Sequence, residues 1–394
     1  MNPRRLPLAL ISLVLLLAGC SSENPSPPEI IISQLPSAQV AAASPTIPVE
    51  ESISNDLDFT PVHTESSPSV SITPITSPSP TPAPALRRLT TGGCCVDPFW
   101  SADGQQLLYI DRPSPEAPAG LWGVSAQGSE PQFITERLGI YSHDMLLRAF
   151  PQDGATHIED LASGEKWILP NGGRAVSFSP DKAWLAWTAG QTGPPFNTAR
   201  RDIWISRVDG SQDRQVFSSI RAGFDGWFPD GRIMVSGLVE GPASEQALWA
   251  LSPEQTQDGQ PILVELGRGA RIRQARISPN GEWVAYITTF SADPAQDGLW
   301  LANSRTGERR RLDTFGGYQW RDDQRLLIVP LDLSQPMHRL LQVEAPSGQV
   351  QPLSDPSITP FRIANGDWSV SPDGQMIAFV SADDGNIWIL ELPN

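Results

Sequence analysis

The clearest pattern in the chain is a tight polar turn followed, two or three positions later, by an apolar segment. The turn reads Ser-Pro-Asp-Gly or a close variant, and three or four hydrophobic residues form each segment. A short apolar run bounded by turn residues predicts a β-strand. The five clearest segments are 107–110, 184–187, 233–235, 283–286 and 376–379.

A second apolar pattern consists of an aliphatic residue followed directly by tryptophan. It predicts another short strand in each copy of the repeat. A repeat of this size cannot bury its apolar face alone, so neighbouring copies must pack together. The five pairs are Leu121-Trp122, Ile203-Trp204, Leu248-Trp249, Leu299-Trp300 and Ile387-Trp388.

The spacing of the turns predicts a β-propeller. Successive first turns are 37 to 51 residues apart, close to the length of a four-stranded blade. We therefore expect an all-β domain over residues 86–394 with seven blades. The units at Asp144 and Asp322 are weak, so six blades is the alternative. The first turns lie at Asp103, Asp144, Asp181, Asp230, Asn280, Asp322 and Asp373.

The two ends of this domain predict how the ring closes. The last unit stops at residues 387–392 with no outer strand after it, whereas the domain begins with an unassigned strand at 86–90. We expect these two segments to pair, because this would remove an exposed sheet edge.

The N-terminal residues are typical of an export signal. Arg4 and Arg5 precede a 13-residue apolar stretch at 6–18, which is short for a membrane span. The following Leu17-Ala18-Gly19-Cys20 resembles the lipobox of bacterial lipoproteins. That resemblance implies a signal peptide at 1–19 and a lipid on Cys20. A simple secretory signal with a chance cysteine is the alternative.

Residues 20–85 are predicted to be a disordered tether. The segment is rich in Pro, Ser and Thr, has no Lys or Arg, and carries seven acidic residues. It offers too little apolar surface to offset the entropy of ordering, and its prolines favour an extended spacer. Removing its charge of −7 and the +2 of the signal arginines from −16 leaves −11 for 86–394. This acidic balance excludes nucleic acid as the expected partner.

The Ser-Pro-Asp-Gly turns and the strands that follow them resemble the WD40-like PD40 repeats of the TolB-type β-propellers. The resemblance covers about 86–394 and implies an extracytoplasmic propeller that binds other proteins of the cell envelope. Two departures stand out: no separate α/β domain is expected before the propeller, and a lipid anchor replaces a soluble export signal.

Candidate catalytic residues are few in this sequence. The four histidines are dispersed, and no Gly-x-Ser-x-Gly nucleophile motif, metal-binding histidine pair or calcium loop is present. From this we predict that the protein is not an enzyme and holds neither a cofactor nor a metal.

Cys94 and Cys95 are the only cysteines besides Cys20. An oxidising compartment would permit a disulfide between these neighbours, although its eight-membered ring would be strained. Two free thiols, a metal or thiol-reactive ligand, and a disulfide between molecules are alternatives. The pair could also be two small residues in a crowded loop.

The loops predict which face of the propeller carries a site. Turns between first and second strands, and between third and fourth strands, are short and uniform. The other face receives long, dissimilar loops, where binding usually resides. Phe196, Arg200 and Phe290 lie on this loop-bearing face, and Cys94 and Cys95 are expected near the mouth of its central channel.

Two functional hypotheses follow from these patterns. The first is a lipid-anchored, non-enzymatic module that binds or scaffolds an unidentified envelope protein and is attached to a membrane through Cys20. The alternative is a small-ligand sensor or enzyme with its site at the channel mouth near Cys94 and Cys95.

Overall fold

The computed structural model describes residues 84–393, apart from 94–95, 191–197, 240–244 and 258–259. This part of the chain forms seven sheets, each with four antiparallel strands, in the arrangement of a β-propeller. The predicted fold and the count of seven blades are therefore confirmed. The predicted signal peptide, Cys20 and nearly all of the tether lie outside the described residues.

The first four blades follow one another along the chain. From the innermost strand outward, the first blade contains β2 (Val96–Trp100), β3 (Gln106–Asp111), β4 (Gly120–Ser125) and β5 (Gln132–Thr135), and the second contains β6 (Ile140–Tyr141), β7 (Leu147–Gln152), β8 (Ala155–Asp160) and β9 (Lys166–Leu169). The third contains β10 (Ser177–Phe178), β11 (Trp184–Gly190), β12 (Arg200–Arg207) and β13 (Arg214–Ile220), and the fourth contains β14 (Gly223–Trp227), β15 (Ile233–Leu238), β16 (Gln246–Gln257) and β17 (Gln260–Gly269).

The remaining three blades complete the ring. The fifth contains β18 (Arg271–Ile277), β19 (Trp283–Thr289), β20 (Gly298–Asn303) and β21 (Arg309–Leu312), and the sixth contains β22 (Gly316–Trp320), β23 (Arg325–Pro330), β24 (Leu341–Glu344) and β25 (Val350–Pro352). The seventh contains β26 (Ile363–Val370), β27 (Met376–Ser381), β28 (Ile387–Glu391) and β1 (Leu86–Arg88). In the described residues the one helix is a 3-10 turn at Pro294–Gln296, and no helix there is long and apolar enough to span a membrane.

The ring closes as the sequence predicts. The strand β1 is the outer strand of the seventh blade, where Leu86 pairs with Leu390 and Arg88 with Trp388. Beyond the strand, the Thr90 hydroxyl accepts a hydrogen bond of 2.9 Å from the backbone N–H of Ile387. The start of the domain and its end therefore belong to one sheet.

Hydrogen bonds explain why the repeat favours serine and aspartate in its first turn. The buried Ser371 hydroxyl donates to Asp373 at 2.6 Å and accepts from the backbone N–H of Met376 at 2.9 Å. The serine thus satisfies the first N–H of the following strand while the carboxylate holds the hydroxyl. The same serine-to-Asp or serine-to-Asn bond recurs at Ser101, Ser142, Ser179 and Ser278.

The tryptophans that end three innermost strands join neighbouring blades. The indole N–H of Trp320 donates to the Arg276 carbonyl of the previous blade at 2.9 Å, and Trp227 donates to the Ser177 carbonyl at 3.2 Å. Trp100 makes the equivalent bond across the closure, to the Ser369 carbonyl at 3.4 Å. The repeated aromatic residue at this position therefore fixes the distance between innermost strands.

The hydrophobic core is divided among the blade interfaces. Six buried clusters each combine side chains from two adjacent blades. The interface between the fifth and sixth blades, for example, buries Leu299 and Leu301 against Leu326 and Ile328. Among the described residues no such cluster joins the first and second blades. Packing between blades, rather than within one sheet, supplies most of the burial.

Candidate functional site

The residues predicted to form a site are only partly described. Cys94, Cys95 and Phe196 lie outside the described residues. Arg200 begins β12 of the third blade, where its guanidinium donates to the Ser218 hydroxyl at 3.2 Å. Phe290, 72% exposed, follows β19 in the fifth blade. The structure thus places these two predicted residues on separate blades.

The innermost strands carry irregularities close to the loop-bearing face. Each innermost strand begins at this face, because the connections between blades lie there. The first residues of these strands surround an opening, which we call the channel mouth. Bulges re-aim side chains and are common next to functional sites. Four innermost strands have shifts in register, at Val96/Phe99 in β2, Phe224/Gly226 in β14, Arg273/Arg276 in β18 and Ile363/Trp368 in β26.

Asp225 is the extra residue of the bulge in β14. Phe224 pairs with Val235 and Gly226 pairs with Met234, so Asp225 has no opposite residue in the ladder. Gly226 has φ of 153°, a value that favours glycine, which allows the chain to turn here. The local sequence therefore displaces one carboxyl side chain from the regular alternation of the strand, near the channel mouth.

The protonation of Asp225 is set by its surroundings. The side chain is exposed to water, yet the protein around it desolvates the carboxyl group. This desolvation raises the pKa of Asp225 to about 6, although a hydrogen bond with the Ser236 hydroxyl acts in the opposite direction. A carboxyl group of this pKa can both accept and donate a proton near neutral pH.

Gly223 gives the Ser236 hydroxyl room beside this carboxyl group. A Cβ atom on Gly223 would lie 3.1 Å from Ser236 Oγ and 3.9 Å from Asp225 Oδ2. Ser236 itself is 6% exposed and lies on the adjacent strand β15. Gly223, the first residue of β14, thus leaves space for the buried Ser236 hydroxyl beside the Asp225 carboxyl.

A cleft of about 660 Å³ is lined by the third blade, by the segment that leads into it and by one residue of the fourth blade. Its wall includes Phe224, the residue before Asp225, together with Trp187 and Thr188 of β11. Arg174 lines the same cleft and donates to the Gly190 carbonyl at 3.1 Å. The cleft offers an apolar wall, polar groups and a positive charge within one space, as small-molecule sites commonly do.

The histidines are dispersed over the propeller. His338 Nδ1 accepts a hydrogen bond of 3.1 Å from the Ile363 N–H, and burial lowers the pKa of His338. His157 stacks on Phe150 with ring centroids 5.6 Å apart. Within the described residues no three His, Cys, Asp or Glu side chains group as ligands for a metal ion.

Asp225 was missed by the sequence analysis, although the sequence contains a signal for it. Glycines in a strand interior often mark a bulge, and Gly223 and Gly226 flank this aspartate. None of the other six innermost strands has a carboxylate between two glycines. Neither the repeat turns nor the histidines indicate this position.

Comparison with known proteins gives matches in structure alone. No protein-family model matches the chain. No curated protein matches it either. An oligogalacturonate lyase in complex with manganese is 17% identical, with a TM-score of 0.55, and the match covers 80% of this chain and 96% of the lyase. The acylaminoacyl peptidase of Pyrococcus horikoshii is 12% identical, with a TM-score of 0.50, and the match covers 74% of this chain and 49% of the peptidase.

These matches correct the functional prediction. Both similar structures are enzymes, a lyase and a peptidase, so the expectation of a non-enzymatic binding or scaffold module is wrong. The prediction had relied on the absence of a linear catalytic motif, and a propeller can assemble a site from single side chains of different blades without such a motif. At these identities the likeness establishes the fold, and the chain is a seven-bladed β-propeller.

Proposed function

We propose that the protein is an enzyme that performs acid–base chemistry at the channel mouth, with Asp225 as the group that accepts and returns the proton. The observation that carries this proposal is the bulge of β14, which displaces the Asp225 carboxyl from the ladder, next to the buried Ser236 hydroxyl. Desolvation at this place raises the pKa of Asp225 to about 6. General acid–base catalysis is most effective when the pKa of the group lies near the working pH. The cleft lined by Phe224, the residue before Asp225, supplies space for a substrate.

Elimination is the reaction that this arrangement supports best. Among the described residues, the side-chain partner of Asp225 is Ser236, whereas glycoside hydrolysis needs a pair of carboxyl groups. In an elimination the Asp225 carboxylate accepts the proton from the carbon beside a carbonyl or carboxyl group. The electron pair of that C–H bond forms the C=C bond, and the bond to the oxygen on the next carbon breaks. The departing oxygen keeps the electrons of that bond and takes the proton back from Asp225. The match to a lyase along nearly its whole length agrees with this choice.

The test compares two aspartate variants on oligogalacturonate and on its methyl ester, followed through the ultraviolet absorbance of an unsaturated product. Asp225→Asn should lower turnover at least about a hundredfold. Asp213→Asn is the matched control, because Asp213 is exposed between β12 and β13 and away from the channel. Wild-type turnover in the Asp225→Asn protein would contradict the proposal, as would a wild-type protein that converts neither substrate.

We also propose that the propeller is held in the cell envelope by a lipid on Cys20, as the resemblance of residues 17–20 to a lipobox suggests. Two or more acyl chains give stable anchoring. Cys20→Ser should leave the protein uncleaved or released from membranes. A mature-length Cys20→Ser protein that still sediments with membranes would contradict the anchor. Membership of the TolB-type family and an envelope partner protein remain predictions, supported by the repeat turns.

A further inference from the structure

Three arginines lie on the innermost strand of the fifth blade. Arg271, Arg273 and Arg276 are all exposed on β18. Neighbouring blades cover both faces of this sheet and β19 covers its outer edge. Exposed side chains on an innermost strand therefore reach solvent at the channel or its mouth.

These arginines have no carboxylate partner within the described part of the chain. Arg273 contacts the ring of Phe290 at 5.7 Å from its centroid, and Arg271 and Arg276 make no side-chain hydrogen bond or salt bridge to a described residue. The protein has a net charge of −16, so acceptors are plentiful elsewhere. A row of like charges on one strand repels itself unless an anion lies between them.

The backbone that carries the arginines is held in an unusual conformation. Gln274, within the bulge of β18, has φ of 54°. Its carbonyl accepts a hydrogen bond of 2.5 Å from the buried Tyr318 hydroxyl of the sixth blade, and burial raises the pKa of that hydroxyl, so it stays protonated. Trp320 holds the Arg276 carbonyl in the same way. Such strain persists where the surroundings impose it, and it is common at ligand sites.

The strand that carries this row is adjacent to the strand that carries Asp225. The innermost strands β14 and β18 touch, since a Cβ atom on Gly226 would lie 3.4 Å from Ile277 Cδ1. Asp225 and Arg276 are each one residue from this contact. Desolvation, and no arginine, dominates the pKa of Asp225. The arginine row and Asp225 therefore lie on the innermost strands of adjacent blades, and no arginine neutralises the carboxyl group.

We propose that Arg271, Arg273 and Arg276 form the binding site for the anionic group of the substrate, so that the substrate class is an organic acid. The inference rests on the proposed function, since it places the bound anion next to the proton acceptor Asp225. Arginine binds carboxylates through paired, charge-assisted hydrogen bonds. A carboxylate bound to these arginines would also present the C–H bond of the adjacent carbon to Asp225.

The experiment measures binding by calorimetry, independently of turnover. The probes are trigalacturonate and its uncharged methyl ester, with Arg273→Gln, Arg276→Gln and the double variant. Each single change should weaken trigalacturonate binding about tenfold, the loss of one charge-assisted hydrogen bond. Binding of the methyl ester should change little. Arg339→Gln is the matched control, because Arg339 is exposed in the sixth blade and has no described hydrogen bond.

The outcomes separate this inference from the proposed enzyme. Asp225→Asn should keep trigalacturonate binding and lose turnover. Unchanged binding in the double arginine variant, or no binding by the wild-type protein, overturns the arginine site. Full turnover in Asp225→Asn with weakened binding in the arginine variants overturns the proposed acid–base role and leaves the anion site standing. Circular dichroism of every variant checks that the propeller is folded.

Discussion

At the scale of single residues, the bulge in β14 separates Asp225 from the aspartates of the repeat. Asp103 and Asp181 accept hydrogen bonds from a serine and from the backbone, and their pKa values are lowered. Asp225 has a raised pKa because desolvation outweighs its one hydroxyl partner. The same residue type thus forms turns in one setting and has a raised pKa in the other.

The raised pKa predicts that Asp225 destabilises the folded protein once it is ionised. A carboxyl group with a folded pKa above its unfolded value costs stability at high pH, and the cost disappears as pH falls below the unfolded value. Asp225→Asn should therefore raise the melting temperature at about pH 8 and have almost no effect near about pH 3. Thermal unfolding of both proteins at the two pH values checks this. An equal effect at both would show that packing, and not charge, is responsible.

At the scale of elements, the turns could be predicted because their chemistry is local. Ser179 and Asp181 bond to each other and to the next strand without help from the rest of the fold. The bulge at Asp225 depends instead on the register in which β14 pairs with β15. A short sequence pattern does not predict that register. The third-strand tryptophans also hold their preceding loops, as Trp300 does by donating to the Gln296 carbonyl at 3.1 Å. The sequence predicted their strands but not this contact.

The turn chemistry gives a prediction for one blade. Ser371→Ala removes the acceptor for the Met376 N–H and the donor to Asp373, both at a buried position. Leaving a buried group unsatisfied costs about 1–3 kcal/mol, so the free energy of unfolding in urea should fall by that amount. Ser163→Ala is the control, since the Ser163 hydroxyl bonds in an exposed turn and its loss should change little. An equal fall in the free energy of unfolding for the two variants would contradict a special role for the repeat serine.

At the scale of the whole molecule, the ring depends on contacts between blades. Leu86 packs in the cluster of the sixth and seventh blades, and Leu89 in the cluster of the seventh and first. The start of the domain therefore supports two interfaces as well as one sheet edge. Seven blades could be counted from sequence because each turn repeats, whereas the channel site that we propose could not be predicted, since its residues come from different repeats.

Ring closure predicts unequal effects for two deletions. Removing residues 86–90 loses the pairing with β28 and the burial of two leucines, about 4 kcal/mol from the leucines alone. The melting temperature should fall by at least about 5 °C. Removing residues 30–80, which precede the described ring, should leave it unchanged. Similar melting temperatures for the two shortened proteins would refute the structural role of β1.

The central claim is that Asp225 exchanges the proton in catalysis, and the pH dependence of kcat/KM tests it most directly. For the wild-type protein on oligogalacturonate, kcat/KM should rise with pH through about 6 as the Asp225 carboxyl ionises. In Asp225→Asn this rise should be absent and the remaining rate should be low at every pH. A rise through the same pH in the Asp225→Asn protein would contradict the account, because another group would then carry the proton.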